Sequence, residues 1–108
     1  MCALRHCNAL VVDMTHGGQV LCKELLRRSC TVHCFDNHRT LSEASLRELR
    51  SMGVEVHRDE AEVPDVDVFD VVVVQHADPK LGIFSEALKA GVPIITHARA
   101  AGIILGSE

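Results

Sequence analysis

Four of the seven histidines, His16, His38, His76 and His97, each stand at or just beyond the end of a short apolar run. The runs are residues 9–12, 32–36, 71–74 and 93–96. If they are parallel strands, their carboxyl ends share the edge at which open α/β sheets bind ligands. The spacing therefore gathers titratable groups along one rim. An imidazole can donate to the carboxylates or phosphates of an anionic ligand, and it also suits zinc, copper or nickel. Neighbouring strand ends lie about 5 Å apart, so four imidazoles spread over four strands need not share one ion. The ligand-donor role is the preferred reading. His33 and His57 read as strand surface residues, and His6 as part of a loose amino terminus.

Independent catalysis finds little support. His76 with Asp78, or His16 with Asp13, could form a general-base pair, and the nearby nucleophiles are Thr15 and Thr96. Neither threonine has the strained elbow that exposes a serine nucleophile. No catalytic residue is assigned.

The elements that must position these groups alternate between strand and helix. Residues 8–13 read as a strand and 18–28 as a helix whose Val20, Leu21, Leu25 and, less firmly, Cys22 share one face. Residues 31–36 form the second strand. Ser42 caps a helix to about Met52, with Ala44, Leu46 and Leu49 inward and Gly53 as the stop. A short strand at 54–57 precedes an acidic stretch, 58–67, that reads as a loop or a poorly formed turn of helix. Residues 69–74 form the fourth strand, and their valines mark it as the sheet centre. A helix over 81–90 closes at Gly91, a fifth strand spans 93–96, and a last helix starts near Ala98. Strands separated by helices imply right-handed crossovers and a five-stranded, doubly wound parallel sheet in three α/β/α layers, a Rossmann-like domain.

At 108 residues the chain is one domain, and with no Trp or Tyr its core must be aliphatic. A net charge of −4, with no basic stripe longer than Arg27-Arg28, argues against nucleic acid. No apolar stretch approaches the ~20 residues needed to span a bilayer, so no membrane is expected. Five cysteines with no CxxC pair read as free thiols in a reducing cytoplasm. A zinc site from Cys30, Cys34 and a histidine is conceivable, but Cys22 and Cys34 read better as small core residues. The last helix is still apolar at Ile103-Ile104-Leu105, which suggests a longer parent chain and, while uncovered, a homodimer.

The first turn, Asp13-Met14-Thr15-His16-Gly17-Gly18, sits where α/β proteins bind phosphate, but carries one of the glycines of a dinucleotide fingerprint. Amides at the helix start can still hold an anion. A Gly-Gly turn without ligand fits equally well. The second strand ends in Asp36-Asn37-His38-Arg39, where an acidic residue commonly accepts from a diol and Arg39 can pair with a phosphate or carboxylate. The alternative is a solvated loop in which Arg39 pairs with Asp36 or Glu43.

The more specific signal lies in the second half. Asp70-Val71-Val72-Val73-Val74-Gln75-His76-Ala77-Asp78-Pro79 precedes Glu86-Ala87-Leu88-Lys89-Ala90-Gly91-Val92-Pro93-Ile94-Ile95-Thr96-His97-Ala98. This resembles the amino-terminal domain of the Mur ligases, ATP-dependent enzymes that add amino acids to UDP-linked cell-wall precursors. Asp13, Thr15, Gln75-His76 and Arg99 depart from that family's pattern at the uridine diphosphate rim. The Asp-x-Thr-His-Gly-Gly turn also resembles Mur-like proteins of methanogenic archaea, one branch of which acts on a carboxylate of a nickel tetrapyrrole. The resemblance implies a cytoplasmic substrate-binding domain with no cofactor of its own. ATP and magnesium would sit on a central domain of the same protein, since no G-x-x-x-x-G-K-[ST] occurs here. The expected substrate is a UDP-sugar-like or polycarboxylate anion. The implied substrate-binding residues are Thr15, His16, Gly17, Gly18, Asp36, Asn37, Arg39, Gln75, His76, His97 and Arg99. A stand-alone dinucleotide- or metal-binding regulatory domain is the alternative.

Overall fold

The structure is a computed structural model that describes residues 4–14, 17–36, 39–75 and 82–106. Five strands, β1 (Asn8–Val12), β2 (Thr31–Phe35), β3 (Glu55–His57), β4 (Val71–Val74) and β5 (Ile94–Thr96), form one sheet. All neighbours pair in parallel, in the order β3-β2-β1-β4-β5. Among the described residues four α-helices flank it: α1 (Gly18–Arg27), α2 (Glu43–Ser51), α3 (Gly82–Ala90) and α4 (His97–Gly106). The fold is Rossmann-like.

Side-chain alternation along the strands builds two cores. Ala9, Val11, Val32, Cys34, Val71 and Val73 face one way, under Leu21, Cys22 and Leu25 of α1, Leu46 and Leu49 of α2, and Ala100 of α4. Leu10, Val12, Phe35, Val72 and Val74 face the other, against Ile83 and Ala87 of α3 and Val66 and Phe69. The sheet is thus covered on one side by three helices, and on the other by α3 and the chain leading into β4.

Three expectations need correcting. The central strand is β1 and not β4, which lies between β1 and β5. Burial on both faces demands valines at any interior position, so an aliphatic run cannot tell the middle strand from its neighbour. Val20 is 64% exposed although it shares helical spacing with Leu21 and Leu25. Ala44 is exposed as well, leaving Leu46 and Leu49 to dock α2.

Local chemistry fixes the helix ends. Ser42 Oγ accepts the Ser45 amide at 3.1 Å, the expected cap of α2. Thr96 Oγ1 accepts the Arg99 amide at 3.0 Å, so α4 starts at His97, one residue before the expected start. The acidic segment forms two 3-10 turns, Glu60–Glu62 and Val66–Val68. Within it, Glu60 Oε2 accepts the Ile83 amide at 3.1 Å and places a carboxylate on the amino terminus of α3. Glu60→Ala is expected to lower stability by about 1 kcal/mol, read by urea denaturation. An unchanged midpoint would mean that this cap contributes nothing.

The cysteines behave as core residues. Cys7, Cys22, Cys30 and Cys34 are buried, and the Cys7 and Cys30 sulfurs lie 3.4 Å apart. A hydrogen bond with Cys34, and then burial, pushes the Cys22 thiol well above its ordinary value, leaving it protonated and unreactive.

Candidate functional site at the carboxyl edge of the sheet

The parallel strands deliver Asp13, Asp36, Arg58, Gln75 and His97 to one edge, directly after β1 to β5 in turn. Strand order reverses between β1 and β4, which makes the crevice there the topological switch point. Asp13 and Arg39 adopt left-handed backbone angles, with φ of 73° and 52°. Non-glycine residues hold that conformation only where their surroundings impose it, and such residues cluster at ligand sites.

The Gly-Gly pair divides its work. Gly17 caps α1 with φ 93°, a conformation that favours glycine. Gly18 answers to close approach, because a Cβ there would lie 3.2 Å from Met14 Sδ and 3.3 Å from the Asp13 carbonyl. The turn thereby brings the start of α1 hard against the end of β1. Gly17 and His97 line a common groove of 660 Å³ between α1 and α4, with Val20, Ala101 and Ile104 along its walls and the Glu24 carboxylate, paired with Arg27, farther along α1. His97 is half-buried at the amino terminus of α4, so the positive ends of two helix dipoles open on one space.

Asp36 is employed differently from the expectation. It is fully buried, and its Oδ1 accepts from the Thr40 amide at 2.9 Å and the Thr40 hydroxyl at 3.1 Å. Its Oδ2 accepts the Leu41 amide at 3.0 Å and lies 3.5 Å from Arg58 Nη2. The carboxylate thus folds its own loop. Arg39 pairs with Asp59 at 3.0 Å, and not with Asp36 or Glu43. Both of those side chains are more than half exposed, so the pair is worth about 0–1 kcal/mol and releases Arg39 readily.

Among the remaining expected residues, Gln75 is half-buried at the end of β4. Arg99 is exposed and lies beside Gly102, Ile103 and Gly106 on α4, outside the groove shared by Gly17 and His97. Thr15, His16, Asn37, His38 and His76 lie outside the described residues. Sequence reasoning missed Arg58, whose Nε is buried with no hydrogen-bond partner among the described residues. Its signal was there to be read, a cation directly after a strand. The amide of Arg58 also donates to Glu62 Oε1 at 3.0 Å, which holds that exposed carboxyl below its usual range.

His33 and His57, expected on the strand surface, instead meet each other across β2 and β3 at 3.0 Å. Burial first, and then the neighbouring His57, lowers the His33 pKa from 6.5, while Glu55 opposes the shift. The unfolded chain therefore takes up this proton before the folded one does. The contribution to stability is complete above pH 6.5 and is lost as pH falls from there to the lowered folded value. In metal-free buffer the melting temperature is expected to drop across that window. A slope equally steep in His33→Asn would assign the effect to another group.

No family model matches the chain. Over 99 residues, 91% of its length, it is 29% identical to the coenzyme F(430) synthetase of Methanosarcina acetivorans, and it spans 21% of that protein. Its fold matches the crystal structure of a UDP-N-acetylmuramate:L-alanyl-gamma-D-glutamyl-meso-diaminopimelate ligase from Neisseria meningitides. The TM-score is 0.66 over 83% of this chain and 28% of that one, at 19% identity. The chain thus shares its fold with a domain of a Mur ligase. Asp13 and Arg99, which depart from the Mur-ligase pattern in the resemblance, follow β1 and β5 at the carboxyl edge. Among the described residues, no helix is long and apolar enough to cross a membrane.

Proposed function

We propose that this chain is a Mur-ligase-like domain that holds the carboxylate-bearing substrate of an ATP-dependent ligase, presenting it to an ATP- and magnesium-binding domain of the same protein. The observation that carries the reading is the convergence of Gly17 and His97, at the amino termini of α1 and α4, on one groove beside the switch point. Two helix dipoles and an imidazole suit an anion, and Arg39 stands across the same edge in an exposed, exchangeable pair.

Within the anions, a polycarboxylate fits better than a sugar nucleotide. A ribose needs a free acceptor for its diol, and the carboxylate best located for that role, Asp36, is spent on Thr40, Leu41 and Arg58. The resemblance to the methanogen Mur-like branch that acts on a tetrapyrrole carboxylate points toward the same class.

An amide NMR titration with coproporphyrin, a tetracarboxylate macrocycle, and separately with a UDP-sugar tests the reading. Shifts centred on Gly17, Gly18 and His97 with coproporphyrin, and about ten-fold weaker binding in Arg39→Ala, are expected from the loss of one charged hydrogen bond. A stronger response to the UDP-sugar would reverse the choice of substrate class. Silence with both at millimolar ligand would remove the substrate-binding role.

A further inference from the structure

On the sheet face away from α1 and α2, the outermost strand pair carries a cluster that the proposed function does not use. His33 on β2 is in register with Glu55 on β3, and Phe35 with His57. The period of two along each strand puts His33, Glu55 and His57 on one face. His57 is the diagonal neighbour of His33, within reach of a long side chain. The next residues in each strand, Val32, Cys34 and Val56, turn into the opposite core.

The three side chains converge. His33 Nδ1 and His57 Nε2 are 3.0 Å apart, and Glu55 Oε2 lies 3.9 Å from His33 Nδ1. One ligand atom from each residue falls within 4.8 Å of the other two. The two rings are inclined by only 14°, with centroids 5.3 Å apart, as two imidazoles joined nitrogen to nitrogen in one plane must be. Phe69 packs edge-on against His33 at 5.1 Å and 80°. The His33 side chain is 12% exposed and that of Glu55 65%, so the cluster has a buried floor and a side open to solvent.

We infer that His33, His57 and Glu55 form a binding site for a divalent transition ion of the zinc class, with its fourth position open to water. Two imidazoles and a carboxylate make a known three-ligand zinc set. At zinc–nitrogen distances of about 2.0–2.1 Å, tetrahedral ligands sit roughly 3.3 Å from one another. The imidazoles need to part by a few tenths of an ångström and turn their lone pairs toward a shared point, and the exposed Glu55 swings in to meet it. The proton of the His–His bond moves to the other nitrogen of the donor ring, so two neutral imidazoles present lone pairs with no change in total charge. Bound there, the ion ties the three-residue edge strand β3 to β2.

The site is tested by calorimetric titration of the reduced 108-residue chain with Zn²⁺, together with the absorption spectrum of its Co²⁺ form. One ion per chain and cobalt bands free of thiolate charge transfer are expected. Glu55→Gln and His57→Asn should each weaken Zn²⁺ binding at least about ten-fold, whereas His97→Asn should not. Glu55 is exposed, so its variant keeps the fold even if replacing the more buried His33 does not. No binding at millimolar Zn²⁺, unchanged wild-type affinity in Glu55→Gln or in His57→Asn, or a cobalt–thiolate band would each overturn the assignment. Because the polycarboxylate titration reads Gly17 and His97, failure of either reading leaves the other standing.

Discussion

Asp36→Ala is expected to destabilise the domain by about 3–5 kcal/mol, the cost of removing one partner from a buried ion pair. The carboxylate has no exposed surface. Without it, the amides of Thr40 and Leu41 lose their acceptors, and Arg58 keeps a charge with no counterion beside it. A buried donor left unsatisfied costs about 1–3 kcal/mol, so the backbone terms alone approach the total. Leu41 is itself a core residue at 6% exposure, so loss of the loop also loosens the packing beneath α2. Small domains are stable by only about 5–15 kcal/mol, which makes this one oxygen pair a large share. Urea denaturation followed by circular dichroism measures it. Arg39→Ala, which breaks only the exposed pair with Asp59, is the control and should stay within about 1 kcal/mol. Comparable losses in the two variants would contradict the structural role given to Asp36.

Leu25→Ala should cost about 2–5 kcal/mol, whereas Val20→Ala on the same helix should change stability by less than about 0.5 kcal/mol. Leu25 is completely enclosed with Cys22, Val32 and Cys34 between α1 and the sheet, so truncation leaves a cavity that its neighbours cannot fill. Val20 stands 64% exposed at the mouth of the groove that Gly17 and His97 share. Thermal melts resolve the difference easily, because about 1 kcal/mol moves the midpoint of a domain this size by roughly 4–8 °C. Equal shifts would mean that α1 docks through a different face. A Val20 loss that appears only when anionic ligand is present would mean that the groove walls contribute to binding.

The sequence by itself determined the alternation of five strands and four helices, their approximate ends and the parallel sheet. These follow from local rules: aliphatic runs, the Ser42 cap, the Gly17-Gly18 turn and the stop at Gly53 act within a few residues of themselves. Because strand ends follow from the same local rules, the edge that carries the candidate site was legible too.

Only the tertiary structure decided which groups on that edge are free. Asp36 has the right residue type and the right position, and it is consumed by amides four and five residues ahead, in a loop whose shape no spacing rule specifies. Helical periodicity grouped Val20 with Leu21 and Leu25, but where that face meets the sheet depends on how α1 lies across β1 and β2. The rank of β1 over β4 at the centre is likewise a matter of long-range pairing, since both are interior strands and look alike in sequence. His33 and His57 lie 24 residues apart and read as unrelated surface positions until the β2–β3 register sets them 3.0 Å from each other. Register is a property of two strands together, and neither strand encodes it alone.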